Sequence, residues 1–145
     1  MTQYSRDIDY LIAAIVYLGS QGFFWARTPK HMASELSLQE ERLEKIFDRY
    51  PGIFRKSAKP SKNGQHFYSL QARYAQREGG DTSEPEQISY IAPLGDERIK
   101  LLVDFVRTLA SEEVESRRRL WGIWVSTGAA VVSAVTAILV ALMKA

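Results

Sequence analysis

Basic residues are the side chains of this chain best suited to chemistry, and they concentrate in its middle. Between residues 49 and 77 there are seven lysines and arginines and no acidic residue. The seven are Arg49, Arg55, Lys56, Lys59, Lys62, Arg73 and Arg77. Such a block attracts phosphates or an acidic partner, whereas an ordinary solvated face usually mixes both signs. The chain carries a net charge of +2, but residues 1–77 hold 12 basic against 7 acidic side chains, and residues 78–145 hold 7 against 10.

Residues 38–50 carry both signs on different sides of one predicted helix. At about 100° per residue, the basic residues fall on one stripe and the acidic residues on another. The basic stripe comprises Arg42, Lys45 and Arg49, and the acidic stripe comprises Glu40, Glu41, Glu44 and Asp48. Carboxylates repel a phosphate-lined groove, although one can accept a hydrogen bond from a cytosine amine. The pattern therefore favours nonspecific binding to a nucleic-acid backbone, or docking of the acidic stripe onto a protein.

Signals for catalysis are weak. The two histidines, His31 and His66, lack metal-ligand spacing to each other or to carboxylates, and neither adjoins a nucleophile motif. The chain has no cysteine, which excludes a thiolate zinc site and a disulfide framework. We therefore expect a protein without enzymatic activity, metal or cofactor.

The first elements that must position these side chains are two helices separated by a short strand. Apolar spacing predicts a helix over Arg6–Leu18, with Gly19 ending it in the left-handed conformation. Phe23–Trp25 is predicted as the strand. Thr28 is expected to cap the next helix, because Pro29 suits a first helical position; this helix should reach about Glu35.

A third helix and a hairpin should follow. Ser37-Leu38-Gln39-Glu40 fits a capping box and predicts a helix running to Tyr50. Its apolar face would consist of Leu43, Ile46, Phe47 and Tyr50. Two strands are predicted at Ile53–Ser57 and Gln65–Leu70, and Asn63-Gly64 between them favours a tight hairpin turn.

The order helix, strand, helix, turn, helix, hairpin resembles a winged helix-turn-helix domain over roughly residues 6–77. The resemblance is carried by Thr28-Pro29, Leu36-Ser37-Leu38, Pro51-Gly52-Ile53-Phe54 and Phe67-Tyr68-Ser69-Leu70. It implies that the recognition helix is Leu38–Tyr50, with Arg42, Lys45 and Arg49 beside the groove. It also implies a wing over Arg55–His66 that contacts phosphates. The wing candidates are Arg55, Lys56, Lys59, Lys62 and His66.

Beyond this domain, expected to span residues 1–77, we predict a linker and a long helix. Residues 78–93 are rich in Gly, Ser, Pro and acid, which is typical of a flexible linker. Residues 94–119 should form an amphipathic helix starting near Asp96, whose wide apolar surface must pack against the winged domain, another copy or a partner. Glu113–Arg117 and Glu115–Arg119 are pairs that favour continuing this helix.

The last element is a predicted membrane helix over residues 120–143. These 24 residues contain no charged side chain, and at ~1.5 Å per residue they measure about 36 Å, enough to cross a hydrocarbon core of about 30 Å. Trp121 and Trp124 occupy positions typical of an interfacial belt. The basic residues in front of it, Arg117, Arg118 and Arg119, predict a cytoplasmic N-terminal domain. We expect a single-pass protein of the cell inner membrane.

Small residues recur every four positions along this helix, at Gly122, Ser126, Ala130 and Ala134. Such spacing lets membrane helices approach closely, so a homo-oligomer formed through residues 96–143 is expected.

The predicted fold class is mainly α with a small β-hairpin: a winged helix-turn-helix domain, a linker, and a long helix continuing into a C-terminal transmembrane helix. Three functions follow from these patterns. The first is a membrane-tethered protein that binds DNA, as a regulator or a DNA–membrane anchor. The second is an adaptor that docks onto a protein through the winged domain. The third is a small oligomerising membrane effector of a prokaryotic stress or defence system.

Overall fold

The fold consists of five helices and three short strands within the part of the chain that the structure describes. This computed structural model describes residues 3–76 and 91–143, and for residues 120–143 it describes the backbone but not the side chains. The helices are α1 (Tyr4–Ser20), α2 (Pro29–Leu36), α3 (Glu40–Arg49), α4 (Gln71–Tyr74) and α5 (Asp96–Met143). The strands are β1 (Ala26–Arg27), β2 (Phe54–Lys56) and β3 (Tyr68–Leu70). The chain divides into two compact units, Met1–Ala110 and Ser111–Ala145.

Helix α1 supplies much of the core of the first unit, but its predicted end was wrong. Leu11, Ile15 and Leu18 are fully buried on one face, whereas Val16, part of the spacing that predicted the helix, is 42% exposed. The helix continues through Gly19 and ends at Ser20, after which Gln21 is extended. Gly19 serves close packing instead of a left-handed turn, since a Cβ built there would lie 3.1 Å from Cγ1 of Ile99.

The start of α2 confirms its sequence signal, whereas the start of α3 does not. Thr28 Oγ1 accepts a hydrogen bond from the backbone N–H of His31 at 3.4 Å, and Pro29 occupies the first turn. The predicted capping box is wrong, because Ser37 ends α2 in the left-handed conformation with φ of 54°. Gln39 precedes α3 without a side-chain capping hydrogen bond, so Glu40 is left to contact the hairpin instead.

The three strands form an antiparallel sheet in the order β1-β3-β2. In β2 and β3, Phe54 pairs with Leu70 and Lys56 pairs with Tyr68, at the positions expected for the hairpin. Strand β1 lies after the predicted Phe23–Trp25 segment, because Ala26 and Arg27 are the residues that pair with β3.

The hairpin loop has its sharp turn at the predicted place but with a different geometry. The backbone N–H of Gly64 donates to the carbonyl of Ser61 at 2.9 Å, and that of Ser61 donates to the carbonyl of Gln65 at 2.7 Å. Gly64 has φ of +77°, whereas Asn63 does not have a positive φ. A two-residue type I′ turn needs both residues at positive φ, so the loop is the three-residue kind with glycine in the left-handed region.

The segment before α5 belongs to the core of the first unit. Ile91 and Leu94 are buried, and the backbone N–H of Leu94 donates to the carbonyl of Gly19 at 2.9 Å. Arg73 is fully buried and donates to the carbonyls of Leu18 and Ile91 at 2.8 and 2.6 Å. The predicted linker therefore cannot extend over Ile91. Its residues 78–90 lie outside the described residues, as does Arg77 of the basic block.

Helix α5 begins at Asp96 as predicted, and its first part packs on the same unit. Val103, Val106 and Ala110 are buried against this unit, whereas Leu101 and Phe105 are 68% and 54% exposed, so only part of the apolar surface of α5 packs on it. In the second unit, the predicted Glu113–Arg117 and Glu115–Arg119 pairs form at 2.8 and 3.5 Å.

The predicted membrane span falls where side chains are not described. Among the residues whose side chains the structure describes, no helix combines the length and hydropathy needed to cross a bilayer. Residues 120–143, including the small-residue stripe Gly122, Ser126, Ala130 and Ala134, lie outside those residues, so the span remains a prediction.

Candidate nucleic-acid interface

A buried carboxylate on α1 holds two arginines of α3. Asp7 is only 2% exposed. Its Oδ2 accepts a hydrogen bond from Nη1 of Arg49 at 2.6 Å, and its Oδ1 lies 3.8 Å from Nη2 of Arg42. The hydroxyl of Tyr50 also donates to Asp7 Oδ2 at 3.2 Å. Burial, together with the Asp7 carboxylate, raises the pKa of Tyr50 to about 12.

The predicted basic stripe of α3 comes together around one open pocket of about 240 Å³. Its lining residues are Arg6, Asp7, Gln39, Glu41, Arg42, Lys45, Ile46 and Arg49. Arg42 is further fixed by donating to the carbonyl of Arg6 at 3.0 Å and by stacking over the ring of Tyr10 at 4.3 Å. The pocket therefore gathers four cations against two carboxylates, in an arrangement suited to an anion.

Sequence reasoning missed Arg6 as a member of this group. It lies on α1, 36 residues from its partner Arg42. A local pattern does not show that the start of α1 meets the side of α3. The only available signal was the adjacent Asp7, an acidic residue at the start of a helix with apolar spacing.

The hairpin brings a lysine and an acidic residue of the predicted site into contact. Nζ of Lys56 lies 3.0 Å from Oδ1 of Asp48, and the Tyr68 hydroxyl donates to the same oxygen at 2.8 Å. Burial alone would raise the pKa of Asp48, but the hydrogen bonds from Lys56 and Tyr68 outweigh it and lower that pKa. The side-chain interaction with Tyr68, followed by that with Asp48, raises the pKa of Lys56. Asp48 is thus bound to the hairpin. A phosphate would have to compete with Asp48 for Lys56.

The other predicted wing residues occupy different settings. The Arg55 guanidinium stacks over the ring of Tyr74, the last residue of α4, at 3.8 Å. His66 is half-buried, with Nδ1 3.0 Å from the carbonyl of Ser57. Lys59 and Lys62 are exposed in the loop. Those two lysines are the wing cations best placed to meet a polyanion.

The remaining acidic residues of α3 are Glu40, Glu41 and Glu44, of which Glu41 also lines the pocket of the basic stripe. Glu40 accepts a hydrogen bond from Nε2 of Gln65 at 2.7 Å, which places it on the hairpin side. Glu41 and Glu44 are exposed, and with Gln39 and Glu40 they line a second open pocket. Of the predicted acidic stripe, Glu41 and Glu44 therefore face solvent on the outer side of α3.

Two further observations bear on chemistry. Within residues 3–76 and the described side chains from 91 onward, no group of three or more His, Cys, Asp or Glu residues could hold a metal ion. His31, which the sequence left without a role, pairs with Glu35 at 2.9 Å on the exposed side of α2.

Comparisons of the chain with protein-family models, with curated proteins and with solved structures found no match.

Proposed function

We propose that this chain is a membrane-tethered, non-enzymatic protein whose N-terminal domain is a winged helix that binds nucleic-acid phosphates. The observation that carries the proposal is the convergence of Arg6, Arg42, Lys45 and Arg49 around one open pocket. Its biological role would be that of a regulator or of an anchor that holds DNA at the inner membrane.

The winged-helix assignment is supported by element order and by strand order. Helices α1, α2 and α3 precede a hairpin, and β1 between the first two helices pairs with the second hairpin strand. This is the order expected of a three-helix domain with a wing, in which α3 and the hairpin loop are the nucleic-acid contacts.

The pocket explains how paired arginines could still bind a phosphate. A guanidinium has five N–H donors in a planar fork, and Asp7 occupies only part of those on Arg49 and Arg42. The buried carboxylate thereby orients both side chains before binding, which reduces the entropy lost on contact. Lys45 and Arg6 also line the pocket. They add positive charge that does not depend on one fixed side-chain orientation.

The outer face of α3 is unsuited to recognising a specific base sequence. Glu41 and Glu44 are exposed there, and Lys45 is the basic residue among them. Carboxylates in a major groove repel the flanking phosphates. The function that fits is backbone binding with little sequence preference, in which affinity depends strongly on salt.

The tether is supported by the charge pattern of the C-terminal residues. Residues 120–143 are uncharged, and three arginines precede them. A tethered domain gains from a high effective concentration at its site of action, so modest affinity for DNA suffices. Self-association through residues 96–143 would pair two such domains.

The test is fluorescence anisotropy of the compact unit Met1–Ala110 on a random DNA duplex, with charge-matched variants. Lys59→Gln/Lys62→Gln should weaken binding and flatten its salt dependence, because two phosphate contacts are removed. Arg98→Gln/Lys100→Gln removes the same charge from exposed positions of α5 and should leave the salt dependence unchanged. Equal losses in the two variants would contradict a defined interface.

A second candidate, docking onto a basic protein surface, is favoured by the exposed Glu41 and Glu44 beside Gln39. Reversal to Glu41→Lys/Glu44→Lys should strengthen DNA binding if DNA is the partner, and abolish partner capture if a protein is. The third function, an oligomerising membrane effector, depends on side chains outside the described residues and stays a prediction.

A further inference from the structure

The loop between α1 and β1 exposes two adjacent phenylalanines. Phe23 is 83% exposed and Phe24 is 57% exposed, the first being the most exposed of the large apolar side chains described. They follow Gly22, where an added Cβ would meet nothing within 4 Å. Scattered apolar side chains on a surface are ordinary, but neighbouring aromatic rings at a loop tip are typical of a contact site.

Aromatic rings and arginines surround this loop. The Arg27 guanidinium lies 4.1 Å from the ring centroid of Phe24. Trp25 packs against Tyr74 at 5.9 Å, and the Arg55 guanidinium also lies over the Tyr74 ring, at 3.8 Å. We call this group the aromatic tip; its members are Phe23, Phe24, Trp25, Arg27, Arg55 and Tyr74.

The chemistry of the aromatic tip matches a membrane–water interface. Phenylalanine and tryptophan insert at the boundary of headgroups and acyl chains, while arginine keeps its charge among anionic headgroups. The negative charge of Glu35 acts on the Arg27 guanidinium and compensates part of its positive charge. Arg55 lies on the same tip and adds a second cation that complements an anionic lipid surface.

We propose that the aromatic tip inserts into the surface of an anionic bilayer. This inference rests on the proposed function in one respect, because the tether is what keeps the domain beside a membrane. The high effective concentration supplied by a tether lets two aromatic side chains suffice, where a free domain would need a larger surface.

The absence of cysteine from the chain allows a direct test by spin labelling. A nitroxide is attached at Gly22→Cys, which leaves both phenylalanines in place, and at Lys62→Cys in the hairpin loop as the aqueous control. A third label at Ala130→Cys tests the tether in the same way. Each full-length variant is reconstituted in vesicles of equal parts phosphatidylcholine and phosphatidylglycerol, and collision rates with oxygen and with a water-soluble nickel chelate are measured.

The proposal predicts that the oxygen-to-nickel collision ratio at position 22 exceeds that at position 62 severalfold. Replacing Phe23→Ser and Phe24→Ser in the Gly22→Cys chain should return the ratio to the aqueous value. An aqueous collision ratio at position 22, together with a ratio typical of the bilayer interior at position 130, would overturn the insertion of the aromatic tip. The tether would still be supported.

Two other outcomes would separate the tether from the aromatic tip and lipid contact from protein contact. An aqueous value at position 130 would contradict the tether, and the label at position 22 would still show by itself whether the tip contacts lipid. Protection of position 22 from both reagents would indicate a protein contact, with a second copy or a partner, and would overturn the lipid assignment.

Discussion

Asp7 and Arg49, 42 residues apart in the chain, form a 2.6 Å ion pair that joins the start of α1 to the end of α3. The two partners differ in environment: the Asp7 side chain is 3% exposed, whereas that of Arg49 is 36% exposed. The pair thus couples the packing of the domain to the position of a basic residue in the candidate site.

This difference in burial predicts unequal costs for removing each partner. Arg49→Met leaves a buried carboxylate with Arg42 as its remaining cation, and should cost roughly 3 kcal/mol of unfolding free energy. Asp7→Asn leaves a guanidinium that water can reach, and should cost about 1–2 kcal/mol. Urea unfolding of both single variants and the double variant measures these values and their coupling. Equal costs with no coupling would show that the pair does not hold α1 to α3.

The close approach of Gly19 to Ile99 predicts that a branched side chain at this position of α1 is destabilising. Gly19→Val adds atoms beyond a Cβ that already lies 3.1 Å from Ile99, and should destabilise the first unit by about 1–3 kcal/mol through overpacking. Gly22→Val is the matched control, since its Cβ meets nothing within 4 Å. Thermal unfolding compares the two, and a control as unstable as Gly19→Val would count against the packing explanation.

The contacts of Asp48 predict a stability difference that disappears in acid. Since its folded-state pKa is lowered below 3.8, its contribution is present above the unfolded pKa and is lost as the pH falls through the folded value. Asp48→Asn should therefore be less stable than the parent by roughly 0.2–1 kcal/mol at neutral pH, because the pair is exposed. The two proteins should converge once the pH falls below the lowered folded-state pKa of Asp48.

Urea midpoints at neutral and acidic pH measure this convergence. Glu44→Gln removes an exposed carboxylate of the same helix and serves as control. A gap between parent and Asp48→Asn that persists unchanged in acid would show that the side chain acts through packing rather than charge.

Arg6 provides a test of the pocket that is independent of the hairpin. Arg6→Gln removes one rim cation while the Asp7–Arg49 pair stays intact, so folding should change little. If Arg6 contacts a phosphate, the slope of log K against log salt should become less negative by about 0.9. A parallel decrease in affinity at every salt concentration, with no change in slope, would mean that Arg6 acts without contacting phosphate.

Local signals in the sequence predicted the parts of the fold that depend on neighbouring residues. Thr28 and Pro29 mark the start of α2, because a hydroxyl cap and a proline without N–H act within one turn. Asn63-Gly64 marks the hairpin loop, since only glycine adopts the left-handed conformation there without strain. The apolar face of α3 was likewise expected from its periodicity.

Long-range contacts decided what the sequence did not show. Ser37 matched a capping box locally but adopts φ of 54°, because α2 ends there. Arg73 counted as part of the basic block, yet it is buried against the carbonyls of Leu18 and Ile91. Asp7 was not a candidate, although it orients two of the predicted basic residues. Arg73 and Asp7 have partners distant in the chain, whereas Ser37 is held by the last turn of α2, where its N–H donates to the carbonyl of Ala33.

The measurement that most directly tests the proposed function is the salt dependence of DNA binding by the unit Met1–Ala110. The fragment must extend to Ala110, beyond the predicted domain of residues 1–77, because Ile91, Leu94 and the first part of α5 complete the core. With about four phosphate contacts shared between the pocket and the hairpin loop, log K against log salt should have a slope of roughly −3.6. No binding at about 50 mM salt, or binding with a slope near zero, would contradict the phosphate-binding account.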